Sequence, residues 1–149
     1  MNKRKGFTLV ELIITLAVFA ILLGAVFITV SRKDSSRRSI DAASDQILAD
    51  IRYARQRAIS EGRNVAIKFY WRNNFYVIQH SPSEPIRTVY LPDGINICRS
   101  TGITTITYTP RGTPSRGDSI FIASEHYRAR ITVAVAGGRV ELVSIERID

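Results

Sequence analysis

Hydrophobic positions divide the chain into an apolar amino-terminal segment, an amphipathic helix and a series of short strands. Residues 12–30 are 19 consecutive residues without a charged side chain, and they follow the basic residues Lys3, Arg4 and Lys5. As a helix they would span about 29 Å, close to the thickness of a bilayer core. The pattern predicts a transmembrane helix, with the basic residues in the cytoplasm and the rest of the chain on the other side of the membrane.

A second helical pattern begins after a polar stretch, residues 31–38, that could act as a hinge. Small and aliphatic residues then recur at spacings of three and four, which is typical of the buried face of an amphipathic helix. These residues are Ile40, Ala43, Ile47, Ile51, Ala54 and Ala58. Gly62 suits a left-handed helix cap, so the pattern predicts a helix over residues 36–61 that lies on a core.

Charged residues are distributed unevenly along this second helix. Aspartates lie toward its start and arginines toward its end, namely Asp34, Asp41, Asp45 and Asp50, then Arg52, Arg55, Arg57 and Arg63. This order suits the helix dipole, whose negative pole lies at the carboxyl-terminal end. We therefore interpret these arginines as structural residues in preference to a nucleic-acid-binding face.

After Gly62 the hydrophobic period changes to two, which is typical of strands with one buried face. The predicted strands cover residues 64–71, 75–79, 88–91, 95–99, 104–109, 119–123, 129–136 and 139–146. Residues 72–74 and 137–138 are predicted hairpin turns, and residues 81–85 and 110–117 are predicted loops. One long helix followed by short strands predicts an α+β fold, in which the helix packs on a small antiparallel sheet or sandwich.

The length and composition narrow the class of protein. The 149 residues suit one globular domain, and 21 basic against 13 acidic residues give a formal charge of +8. One cysteine, Cys98, excludes an intramolecular disulfide and a Cys-rich zinc site, and with two histidines a metal centre would need unusual ligands. Since the chain also lacks a nucleophile-elbow or phosphate-loop motif, we expect no catalytic site, no metal and no cofactor, and the protein is not expected to be an enzyme.

The amino terminus has two ordinary interpretations, a secretory signal peptide and a plain signal anchor. The apolar run is longer than that of a typical signal peptide, and residues 29–32 offer no Ala-x-Ala cleavage site. Neither interpretation explains Glu11, whose carboxylate near the start of a membrane helix costs free energy unless it is paired. An ionisable residue in that position is a candidate functional residue.

Residues 5–12, KGFTLVEL, resemble the leader of type IV pilins and pseudopilins. The resemblance implies that a prepilin peptidase cleaves between Gly6 and Phe7, removes the leader peptide of residues 1–6 and methylates the new amino terminus of Phe7. Residues 7–30 would then be the transmembrane and assembly helix. Glu11 would neutralise the terminal amine of a neighbouring subunit within low-dielectric surroundings, which makes it an assembly residue and not a catalyst.

Three further stretches resemble the GspH/FimT-type minor pseudopilins: residues 48–69, residues 105–112 (TITYTPRG) and the final GGRVELV. The resemblance implies a pilin-like fold for residues 31–149 and a minor subunit that helps to initiate or cap a type II secretion pseudopilus or a type IV pilus. It also implies a single-pass protein of the inner (cytoplasmic) membrane, with its globular domain periplasmic or extracytoplasmic. The implied partners are the prepilin peptidase, the membrane and other major and minor pilins.

A DNA-binding minor pilin for natural transformation is the alternative. From Ser31 onward the chain has 18 basic and 12 acidic residues, a net charge of +6 that attracts a polyanion. The candidate residues are Arg139, Arg128 and Arg130. DNA-binding relatives resemble this region with a Gly-Arg-x-Arg motif, but Glu141 stands here at the second arginine and shares a strand face with Arg139. DNA is therefore a possible partner that is not favoured, and we expect weak, salt-sensitive binding at most.

Overall fold

The computed structural model describes residues 9–98 and 105–148, and for residues 24–34 it describes the backbone alone. Its first element is a helix, α1 (Leu9–Glu61), followed by eight strands. The strands are β1 (Val65–Tyr70), β2 (Phe75–Ser81), β3 (Glu84–Tyr90), β4 (Asn96–Cys98), β5 (Thr105–Tyr108), β6 (Asp118–Ala123), β7 (Tyr127–Val133) and β8 (Val140–Arg147). Residues 31–38, which the sequence left open as a hinge, are helical, and Gly62 caps the helix with a φ of +63°.

The chain divides into two compact units, residues 1–35 and residues 36–149. Within residues 9–98 and 105–148, no helix is long and apolar enough to cross a membrane. The transmembrane span predicted over residues 7–30 therefore stays a prediction from the sequence.

The second unit contains two four-stranded antiparallel sheets. The first has the order β3-β2-β1-β5 and the second the order β4-β6-β7-β8. In β1, the side chains of Val65, Ile67 and Phe69 are buried, whereas those between them are half-exposed, as the alternation of a strand requires. The predicted hairpin at residues 72–74 is confirmed, because Tyr70 and Phe75 are paired on either side of it.

One hydrophobic core joins the helix to both sheets. All six residues of the predicted helical stripe are buried in it: Ile40, Ala43, Ile47, Ile51, Ala54 and Ala58. They share the core with residues of the first sheet, such as Ile67 and Ile78, and of the second, such as Ile122 and Ile131. The predicted α+β fold, with a helix packed on small antiparallel sheets, is confirmed.

The strand boundaries differ from the prediction by two or more residues in three strands, β2, β3 and β7, and by one residue in the others. The loop predicted over residues 81–85 is wrong, because β2 extends to Ser81 and β3 already begins at Glu84. Strand β3 lies at a sheet edge, where Pro85 needs no ladder partner for its missing N–H. The strand predicted over residues 129–136 begins earlier, at Tyr127, and ends at Val133; residues 136–138 form a short 3-10 turn before β8.

Candidate functional site

The first candidate site is the apolar surface of α1 at its amino-terminal end. The large side chains there are roughly half exposed or more, and they lie on all sides of the helix: Leu9, Val10, Leu12, Ile13, Ile14, Leu16, Val18, Phe19, Ile21, Leu22 and Leu23. Exposed apolar surface of this extent marks contact with another apolar phase or with a partner. Glu11 lies in the first turn of this helix. Gly6 and Phe7, the predicted cleavage and methylation sites, lie outside the described residues.

A buried polar network connects α1 to the first sheet at Asp50. Its carboxylate is almost fully buried and accepts three hydrogen bonds, from Tyr76 Oη at 2.6 Å, Arg87 Nη1 at 2.9 Å and Gln46 Nε2 at 3.0 Å. Burial, together with the hydrogen bond to Asp50, raises the pKa of Tyr76 well above its usual value, so this hydroxyl stays a donor. The network therefore fixes the helix against β2 and β3, a role that the position of Asp50 on the helix did not indicate.

The arginines near the end of α1 agree for the most part with their structural interpretation. Arg57 pairs with Glu61 one helical turn away. Arg63 Nη2 lies 2.7 Å from Glu84 Oε2 on β3 and lowers the pKa of that carboxyl. Arg55 Nε donates a hydrogen bond of 2.9 Å to the carbonyl oxygen of Gly112. Arg52 is exposed and has no ion-pair partner in the described part of the chain.

The three candidate DNA-binding arginines are not brought together by the fold. Arg139 directly precedes β8 and forms an ion pair with Glu141. Arg130 lies opposite Ser144 in the ladder, and its guanidinium carbon lies 5.8 Å from the centroid of the Phe121 ring, as in a cation–π contact.

Arg128 lies two residues before Arg130 on β7, opposite Glu146. The backbone of Arg139 pairs with Ala134, so Arg130 and Arg128 stand four and six positions away from it. At about 3.3 Å per residue, those offsets correspond to roughly 13 and 20 Å along the sheet. The arrangement gives separate positive charges, two of them beside carboxylates, and not one basic patch.

Comparisons with known families match both parts of the chain. The family described as type II transport protein GspH matches residues 43–137. The prokaryotic N-terminal methylation motif matches residues 1–27, the region that contains Gly6, Phe7 and Glu11. The chain is also similar to competence protein ComGD of Bacillus subtilis (strain 168), with 32% identity over 143 residues that cover 95% of each chain.

Solved structures share the fold. The chain is similar to the type IV minor pilin FimU of Pseudomonas aeruginosa, with a TM-score of 0.61 and 19% identity over 72% of this chain and 90% of FimU. It is also similar to the minor pseudopilin EpsH of the Vibrio cholerae type 2 secretion system, with a TM-score of 0.56 and 9% identity over 70% of this chain and 95% of EpsH. At these identities the likeness concerns the arrangement of helix and sheets.

Proposed function

Since the chain belongs to the GspH family of pilin-like proteins, we propose that it helps to initiate or cap a thin filament as a minor subunit. The observation that supports this most is the pair of family matches, a methylation motif over residues 1–27 followed by a GspH domain over residues 43–137. The exposed apolar surface of α1 and the separate two-sheet unit suit the two tasks of such a subunit. The first would bundle with other helices and the second would contact neighbouring subunits. The proposed role is structural and not enzymatic.

The proposed maturation begins at the cytoplasmic face of the membrane. A prepilin peptidase cleaves between Gly6 and Phe7 and methylates Phe7, and the helix of residues 7–30 keeps the product in the inner membrane as a single-pass protein. The three basic residues of the leader support this orientation, because positive charge favours the cytoplasmic side. The globular domain then lies outside the cytoplasm, where a filament can incorporate it.

Glu11 has a proposed role in assembly. The residue stands in a turn of otherwise apolar, exposed side chains, so its carboxylate enters low-dielectric surroundings when helices bundle. The amine of a mature Phe7 on a neighbouring subunit would neutralise it there, and the pair would select one axial register.

Membership of a filament can be tested by co-isolation. A tagged full-length chain is expressed in its own cells, filaments are sheared or extracted with mild detergent, and the co-isolated proteins are identified by mass spectrometry. We expect proteins that carry an N-terminal methylation motif at a reproducible ratio to the tagged chain. Isolation of the chain without any such protein would contradict the proposal.

Natural transformation is the second candidate process, favoured by the likeness to a protein named as a competence protein over 95% of the chain. Counting transformants after deletion of the gene separates this process from secretion. Direct DNA binding is a different claim, and the ion pair between Arg139 and Glu141 argues against it. A gel shift with the full chain in detergent tests direct DNA binding. If the wild type shows no binding and Glu141→Arg introduces it, the structural role is supported. Strong wild-type binding that Arg139→Ala abolishes would contradict the structural role.

A further inference from the structure

A cleft of about 700 Å³ lies between the second half of α1 and the start of β8. Arg52, Arg55 and Tyr53 line it from the helix, Tyr108 from β5, and Arg139 and Glu141 from the β7–β8 hairpin. All of these residues belong to the compact unit of residues 36–149. Residues distant in the sequence thus form one concave surface.

The lining of the cleft is held in place by contacts within the domain. Arg55 is held in place by the 2.9 Å hydrogen bond from its Nε to Gly112 O. Gly138 approaches the same carbonyl so closely, at a φ of +64°, that a Cβ atom there would collide with it. Because Nε of Arg55 is used in this contact, its two terminal nitrogens remain the part of the guanidinium fork that can bind another group.

The charge of the cleft is positive. Three guanidinium groups line it against one carboxylate, that of Glu141, and this carboxylate is paired with Arg139. Within the residues that the structure describes, neither Arg52 nor Arg55 forms an ion pair with an acidic side chain. An arginine fork binds a carboxylate or a phosphate through two parallel hydrogen bonds, so this surface is suited to an oxyanion.

Tyr108 adds an independent indication of a ligand. Its side chain is fully buried, and its hydroxyl has no hydrogen-bond partner among the described residues. Burial raises the pKa of Tyr108 to about 12, against the opposing effect of Arg55, so the hydroxyl keeps its proton at neutral pH. A buried donor without an acceptor costs free energy, which an incoming acceptor would recover.

We propose that this cleft binds the carboxylate of an aspartate or glutamate on a neighbouring pilin-like subunit. Arg52 and Arg55 would hold the carboxylate, and the hydroxyl of Tyr108 would donate to it or to a group beside it. Tyr108 lines the cleft, so one inserted carboxylate side chain would meet this residue beside the arginines, whereas the many phosphates of a duplex would also meet Glu141. The inference rests on the proposed function, because it names a contact of the subunit within its filament.

A charge-conserving variant tests the chemistry of the ligand. In Arg52→Lys, a carbodiimide activates a carboxylate in contact with the new amine, and the amine displaces the urea by-product to form an amide. We expect mass spectrometry to find residue 52 linked to an aspartate or glutamate of a second protein with an N-terminal methylation motif. The matched control is Arg116→Lys, at an exposed position outside the cleft. Linkage of residue 52 to Glu141 of the same chain alone, or to nothing, overturns the inference.

Charge reversal separates this inference from the proposed function. Arg52→Glu should reduce co-isolation of the partner subunit by roughly tenfold or more, whereas Arg116→Glu should leave it unchanged. An unchanged unfolding midpoint of the full chain in detergent shows that both variants fold. Normal co-isolation of the partner with Arg52→Glu overturns the inference about the cleft and leaves the proposed function standing. Failure of the wild-type chain to co-isolate with a partner overturns both. The DNA bound by the isolated chain is measured in the same samples. If Arg52→Glu loses this DNA while co-isolation of the partner subunit stays normal, the ligand is a phosphate, and this also overturns the inference.

Discussion

Replacing Asp50 with alanine should destabilise the globular unit by about 3 kcal/mol. The change removes the acceptor of three hydrogen bonds, from Tyr76, Arg87 and Gln46. The buried hydroxyl of Tyr76 would lose its partner, which costs about 1–3 kcal/mol. The bond to Arg87 contributes less than a fully buried pair would, because the Arg87 side chain is half exposed and water can replace the carboxylate.

The expected loss is a large part of the free energy of unfolding, which is about 5–15 kcal/mol for a typical domain. Thermal unfolding of the full chain in mild detergent, followed by near-ultraviolet circular dichroism, should show a midpoint lowered by roughly 10 °C. Asp45→Ala is the matched control, because Asp45 is exposed on the same helix; its midpoint should move by less than about 2 °C.

A double variant identifies the source of the loss. In Asp50→Ala/Tyr76→Phe the unpaired hydroxyl is absent, so the combined destabilisation should be smaller than the sum of the two single effects. Equal shifts for Asp50→Ala and Asp45→Ala would refute the reasoning, as would strict additivity of the Asp50 and Tyr76 substitutions.

The remaining predictions concern assembly, backbone and pH. Glu11→Ala should leave cleavage and folding intact and lower co-isolation with other pilin-like proteins; a normal ratio would contradict the pairing. Gly138→Ala should lower the free energy of unfolding, measured by chemical denaturation, by about 2 kcal/mol or more, because the added Cβ atom would collide with backbone. Gly137→Ala is the control: it has a similar φ but open space around the Cβ position, so we expect a loss of about 1 kcal/mol. The raised pKa of Tyr108, about 12, means that its proton stabilises the folded state fully below pH 10. That stabilisation should fall by about 1.4 kcal/mol per pH unit between pH 10 and 12, and Tyr108→Phe should reduce the slope measured by alkaline unfolding.

The helix and most strands could be predicted because their signals are local. The stripe from Ile40 to Ala58 repeats with the helical period, and every member of it is buried. The same local logic failed at the start of β3, where the exposed residues of an edge strand do not alternate between apolar and polar. Boundaries set by pairing with another strand were therefore less predictable than the elements themselves.

The polar sites could not be predicted because they join distant parts of the chain. Asp50 meets donors that lie 26 and 37 residues away on β2 and β3. The arginine cleft joins α1 to a tyrosine and a hairpin more than fifty residues further along. The contact between Arg139 and Glu141 could be predicted, because residues two apart on a strand share a face. The structure shows these two side chains as an ion pair.

The central claim is that the chain is a processed, membrane-held subunit of a pilin-like filament, and the amino terminus of the mature protein tests it most directly. Protein extracted from the membrane fraction of its own cells is digested, and its amino-terminal peptide is sequenced by mass spectrometry. We expect a peptide that begins at Phe7 and carries a methyl group on its amine. A protein that retains Met1, or a soluble product cut near Ser31, would contradict it.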